Sequence, residues 1–136
     1  MLFRSIAREM AAPPIAIVMN MILIEVEEGR AVFTGEPGEE HYNQIGIVHG
    51  GYTATLLDSA LGCAAHTTLP AGVGYASLGI EAKYLRPITR DTGRVVCEGV
   101  IVHRGRRQAT AEARLTAEDS GKLLATGTST LMIFGG

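Results

Sequence analysis

The segment His41-Tyr42-Asn43-Gln44-Ile45-Gly46-Ile47-Val48-His49-Gly50-Gly51, followed after six residues by Asp58, gathers the groups in this sequence best suited to chemistry. Two successive glycines leave the backbone bare, and where they open a helix its first N–H groups and the positive end of its dipole face outward. An oxygen anion fits there. The same pair also suits a tight turn or a close packing contact, and two glycines alone do not choose between these uses. Asp58 lies two turns further on, in a run of Ala and Leu where an unpaired carboxylate would be costly. It must therefore be hydrogen-bonded, to a hydroxyl such as that of Tyr52, Thr55 or Ser59, or open onto a polar pocket. A carboxyl buried in this way is also one whose proton affinity rises towards the range a general base needs.

The elements that must position these groups follow from hydrophobic patterning. Gly50 to His66 reads as a helix that is apolar on every side, with Asp58 its only charge, so other structure should enclose it. Residues 2–11 read as a short helix ended by Pro13-Pro14. Ile15 to Glu27 and Arg30 to Gly35 read as a hairpin about Glu28-Gly29, and Glu36 to Val48 as a loop. After the helix the period changes to two. Tyr75 to Leu85, Arg94 to Arg104, Gln108 to Ala117 and Lys122 to Phe134 are strand-length segments, the last three joined by short turns into an antiparallel meander. In the third, Ala109, Ala111, Ala113, Leu115 and Ala117 face one way and Gln108, Thr110, Glu112, Arg114 and Thr116 the other, as in a sheet with one face on a core. One buried helix packed on about six strands is an α+β arrangement. A single domain over 1–136 is expected, with 1–14 as an N-terminal helix or arm.

Composition removes several function classes. The 136 residues, 46% hydrophobic and 19% charged, suit one globular domain. A net charge of −2 argues against a nucleic-acid binder, whose affinity rests on a basic surface. Charge is nonetheless uneven. Residues 83–107 carry Lys83, Arg86, Arg90, Arg94, Arg104, Arg106 and Arg107 against Asp91 and Glu98, so this part could face a compact anion or simply be a solvated strand face. Cys63 and Cys97 form neither a disulfide framework nor a metal knuckle, and both read as packing residues, free thiols of a cytoplasmic protein. The four histidines lack metal-ligand spacing, so no metal is expected. Ile15 to Ile24 is too short to cross a bilayer as a helix, which takes about 20 residues, and no small-residue cleavage site follows it. No membrane association is expected.

The pattern N-x2-G-x2-HGG-x6-D, the later Lys83-Tyr84-Leu85-Arg86-Pro87 and the strand meander resemble the hotdog-fold acyl-CoA thioesterases of the phenylacetic acid degradation type, within the 4-hydroxybenzoyl-CoA thioesterase superfamily. The likeness covers about residues 15–134. It implies a sheet wrapped around one long helix, and an acyl-CoA substrate hydrolysed to coenzyme A and a carboxylic acid without a cofactor. By the same resemblance the Gly50 N–H binds the thioester carbonyl, with Gly51 and Gly46 beside the substrate. Asp58 is the nucleophile or the base that activates water, and Asn43 and His49 shape the site. Relatives also place a Ser or Thr on the strand after the helix to assist the carboxylate, and counting back from Tyr84-Leu85-Arg86-Pro87 puts Ser77 there. Arg104, Arg106 and Arg107, with Arg86 or Arg90, become candidates for the nucleotide phosphates, since guanidinium groups match phosphate oxygens in bidentate fashion.

Geometry adds a constraint of its own. At 1.5 Å rise per residue, Asp58 lies about 12 Å along the helix from Gly50, too far for both to act on one carbonyl group. The two groups converge only if Gly50 of one subunit faces Asp58 of another, which predicts a homodimer with two equivalent sites, alone or paired into a tetramer. Two other readings remain. One is a hotdog domain that binds acyl-CoA as a sensor or carrier without turnover, although this chain keeps Asp58. The other is a dehydratase acting on carrier-bound acyl groups, whose catalytic histidine sits in a different pattern. The acyl group itself is left open, with Tyr52, Leu61 and Tyr75 as candidate pocket residues.

Overall fold

A computed structural model describes residues 12–135. Helix α1 (Pro14–Val18) is followed by strands β1 (Met21–Glu27) and β2 (Arg30–Gly35), helix α2 (Gly50–His66), and strands β3 (Gly74–Tyr84), β4 (Val95–Arg104), β5 (Gln108–Ala117) and β6 (Leu123–Phe134). The six strands form one antiparallel sheet in the order β1-β2-β4-β5-β6-β3. The sheet carries α2 on one face, the arrangement expected of a hotdog fold. The short helix expected over residues 2–11 lies outside the described residues.

Helix α2 sits close to the sheet because the strands beneath it are built of small residues. Ala109, Ala111, Ala113 and Ala117 of β5 are all buried, and the alternation read from the sequence holds along that strand. At Gly99 of β4 a side chain would strike the backbone carbonyl of Ala60, and at Gly127 of β6 it would press on Leu57 at 3.4 Å. Into this shallow bed α2 lowers Leu56, Leu57, Ala60, Leu61 and Ala64, each fully buried. Burial of a leucine side chain contributes roughly 2 kcal/mol.

Two expectations need correction. The strand read from Ile15 begins only at Met21, because Pro14 occupies the first helical position, where its fixed φ and missing N–H favour a helix start. The resulting turn of helix ends at Asn20, which adopts φ 50°. Secondly, α2 is not enclosed on all sides. A single helix on one sheet face has only that face covered, and Gly51 and Asp58 on its other side are exposed, with Thr55, Ser59, Cys63 and His66 half-buried.

Strand β3 lies at one edge of the sheet and is exposed along most of its length. It pairs with β6 in two registers separated by a β-bulge between Ser77 and Gly79. Side chains alternate along a regular strand, so residues seven apart point to opposite faces. The extra residue changes this parity: Tyr75 and Ser77 before the bulge and Ala82 and Tyr84 after it all reach α2 or the core beneath it.

Candidate active site

The N-terminus of α2 shows how the glycines are used. His49 is the capping residue, with extended backbone at φ −61° and ψ 139°, and its Nδ1 accepts the Gly51 N–H at 2.7 Å. The neutral ring therefore carries its proton on Nε2. The Tyr52 N–H donates to the His49 carbonyl at 3.0 Å and the His49 N–H to the His41 carbonyl at 2.8 Å. Of the four N–H groups that open a helix without an internal partner, this leaves Gly50 alone with no acceptor among the described residues. A Cβ on residue 51 would lie 2.9 Å from His49 Nδ1, so glycine is what lets the imidazole come close enough to cap.

The loop before the helix is tied by its own polar side chains. Asn43 Oδ1 accepts the Ile45 and Ile47 N–H groups at 3.0 and 3.3 Å, and the Gly46 N–H donates to the Asn43 carbonyl at 3.1 Å. Gly46 takes φ 82°, which glycine adopts without strain. His41, buried, joins this loop to α1: its Nε2 bonds the Val18 carbonyl at 2.7 Å, its Nδ1 accepts the Gly38 N–H at 2.9 Å, and its ring packs on Tyr52. The Val48 N–H reaches across to the Ile88 carbonyl at 2.9 Å.

Asp58 projects from the uncovered face of α2 and is exposed in the protomer, which corrects the expectation that its carboxylate is buried there. Among the described residues none of the neighbouring hydroxyls considered for it, those of Tyr52, Thr55 and Ser59, bonds it. Thr55 donates to the Gly51 carbonyl, and the Tyr52 hydroxyl is buried on the sheet side without a partner among the described residues. The contact that Asp58 makes is with β3, where the Ser77 hydroxyl lies 3.5 Å from Oδ1, the outer limit of a hydrogen bond. One turn along, the Tyr75 ring covers Gly62, where a Cβ would meet the phenol oxygen at 2.8 Å, and packs on His66. Burial holds the His66 imidazole below its usual range and raises the Tyr75 phenol. Of the residues considered for an acyl pocket, Tyr52 and Leu61 belong to the core, because they lie on the sheet-facing side of α2. Tyr75 stays on the open side. Burial pushes the Cys63 thiol up to about 11 and that of Cys97 up to about 12, which leaves both poor nucleophiles near neutrality.

The second contact from β3 was not read from the sequence. The Tyr84 hydroxyl donates to the Gly50 carbonyl at 3.1 Å, and its ring lies so close that a Cβ on residue 50 would be 3.3 Å from it. Tyr84 was visible in the Tyr-Leu-Arg-Pro signature, but the bulge that turns it towards α2 leaves no sequence pattern.

The arginines divide by their partners. Arg94 pairs with Glu36 at 2.9 Å and Glu118 at 3.8 Å, Arg90 approaches Glu39 at 3.9 Å, and Arg86 donates to the Leu123 carbonyl. Arg104, Arg106 and Arg107, on the exposed β4–β5 turn, make no ion pair among the described residues. Arg104 stands in the ladder row of Ala109, Leu131 and Ser77, whereas Arg86 follows Tyr84, roughly 25 Å away along the strand direction. One protomer cannot close both groups on a single phosphate. Among the described residues no three His, Cys, Asp or Glu side chains are grouped to hold a metal ion, and no helix is long and apolar enough to cross a membrane.

Residues 45–124 match the family model of the thioesterase superfamily. Acyl-coenzyme A thioesterase 13 of Mus musculus is 35% identical over 114 residues, 84% of this chain and 80% of that protein, and its Homo sapiens counterpart is 30% identical over the same length. Among solved structures, a single-residue variant of the phenylacetic acid degradation protein of Thermus thermophilus is 31% identical, with a TM-score of 0.79 over 88% of this chain and 98% of that one. A thioesterase family protein from Silicibacter pomeroyi is 25% identical, with a TM-score of 0.84 over 91% of each chain.

Proposed function

The chain belongs to the thioesterase superfamily and is a thioester hydrolase of the hotdog fold, and from that premise we propose that it hydrolyses acyl-coenzyme A esters in sites shared between two protomers. The observation that carries this reading is the separation of its two half-sites. The unbonded Gly50 N–H and the open Asp58 carboxylate lie on one helix, about 12 Å apart along its axis. A twofold axis that lays one α2 antiparallel to its partner's would bring the amide of one to the acid of the other. The outer edge of β3, next to Asp58 and unpaired among the described residues, supports pairing of this kind.

In such a site the Gly50 N–H, reinforced by the helix dipole, holds the thioester oxygen as negative charge develops on it. Asp58 takes a proton from water as the water attacks, or attacks the carbonyl itself to form an anhydride that water then opens. Ser77 steadies the carboxylate. His49, with its Nδ1 occupied by Gly51, turns Nε2–H towards substrate or water, and Asn43 and Gly46 hold the loop that carries it. Gly51 acts through this cap and leaves the N–H donation to Gly50. The unpaired arginines of one β4–β5 turn, with Arg86 of the other protomer, meet the phosphates of coenzyme A. No cofactor is required. The reading includes a dimer, alone or paired into a tetramer, and a cytoplasmic location, which the free thiols of Cys63 and Cys97 support.

The test separates the half-sites. Position 50 is the first helical residue and His49 is extended, so Gly50→Pro deletes the N–H at a position that tolerates proline, apart from a close contact with the Tyr84 ring. Gly50→Pro and Asp58→Asn should each lower thiol release from a panel of acyl-CoA esters by about 10²-fold or more. Unfolded together and refolded, the two inactive proteins should regain activity, because a mixed dimer has one intact site. A wild-type protein that releases thiol from no ester would overturn the substrate. Mixed dimers as inactive as their parents would overturn the shared site.

A further inference from the structure

The first turn of α2 holds the oxyanion donor, yet two successive glycines are the residues least able to keep a helix end in one conformation. His49 Nδ1 holds the N–H of the Gly50–Gly51 peptide. Strand β3 holds its other end: the Tyr84 hydroxyl bonds the Gly50 carbonyl at 3.1 Å, and the Tyr84 ring lies where a Cβ on residue 50 would be 3.3 Å from it. That carbonyl is already used by the helix ladder, so the hydroxyl satisfies no orphaned group. Tyr84 also remains 57% exposed, so burial is not what the side chain gains there. The strand end that carries it is itself clamped, with the Leu85 and Arg86 N–H groups both on the Leu124 carbonyl at 2.8 and 3.1 Å. Only the bulge after Ser77 lets a strand that touches Asp58 also touch Gly50.

We propose that Tyr84 is a positioning residue for thioester hydrolysis: by holding the carbonyl and the α-carbon side of Gly50 it keeps that residue in the conformation in which its N–H has the aim required of an oxyanion donor. The inference rests on the function proposed above for Gly50. A donor that wanders by an ångström loses much of its effect on the transition state while barely altering substrate affinity, so the signature is a fall in kcat at nearly constant KM.

The experiment compares Tyr84→Phe, which keeps the ring and removes the bond, with Tyr84→Ala, which removes both. In wild-type protein labelled with nitrogen-15 glycine, the Gly50 and Gly51 amides should relax as rigid backbone, with order parameters near ~0.85. In Tyr84→Ala those of Gly50 and Gly51 should drop towards ~0.6, while Gly99 and Gly127 under the helix stay unchanged. Thioester turnover should fall about fivefold in Tyr84→Phe and about 10²-fold in Tyr84→Ala, with KM within about twofold of wild type. A Gly50 amide as ordered in Tyr84→Ala as in wild type would overturn the proposal, and so would an unchanged kcat. If the wild-type protein hydrolyses no acyl-CoA, the proposed function fails, and amide order at Gly50 still decides whether Tyr84 holds the helix end.

Discussion

The two faces of α2 are made of different material. Towards the sheet the helix presents Leu56, Leu57, Ala60, Leu61 and Ala64, all fully buried on a bed of alanine and glycine. Away from it stand Gly51, Thr55, Asp58, Ser59, Cys63 and His66, small or polar and partly open. The difference separates labour: the first face holds the helix in place, and the second offers groups that a partner or substrate can reach. Substitutions on the sheet side should cost stability, and those on the open side should cost turnover.

The largest effect is expected under the helix. Leu57→Ala should lower the unfolding free energy by about 2–5 kcal/mol in urea denaturation, because the alanine bed cannot collapse into the space left. Gly99→Ala follows at about 1–3 kcal/mol, since the added methyl meets the Ala60 backbone and not a flexible side-chain end. On the open face, Ser77→Ala should lower kcat about threefold to tenfold, the scale of about 1 kcal/mol for one weak hydrogen bond to a charged group, with the urea midpoint unchanged. The thiols give a comparison without substitution: at pH 8 the half-buried Cys63 should be alkylated slowly and the fully buried Cys97 more slowly still, read by mass spectrometry of the intact protein. The smallest expected change is the stability of Asp58→Asn, within about 0.5 kcal/mol of wild type. A loss of several kcal/mol there would mean that Asp58 is structural and would collapse the contrast between the faces.

Much of this arrangement could be read before the coordinates. The limits of α2, the alternation of β5 and the antiparallel meander were legible because each rests on a local signal: an Ala/Leu run with glycine at its start, a strict period of two, and turn residues between strands. The helical turn Pro14–Val18 was not, because Ile and Val suit a strand and only the proline at its first position argues otherwise. The exposure of Asp58 was missed for a different reason. An apolar helix in sequence gives no count of the layers around it, and among the described residues there is one sheet, on one face of α2. Asn43, His49 and Gly50 fell into one neighbourhood because they are close in the chain, and Ser77 was reached through family resemblance. Tyr84 needed the parity change in β3, which depends on how β6 pairs with it and leaves no mark in the composition of either strand.

That bulge limits how the chain can vary in length. Residues can be inserted or deleted in the turns at either end of β3, where the change is absorbed by solvent-exposed backbone. Within the strand, loss of a single residue between the bulge and Tyr84 would break this parity and rotate either Ser77 or Tyr84 to the outer surface of the sheet. One of the two half-sites would then lose its support without any change to the residues that form it.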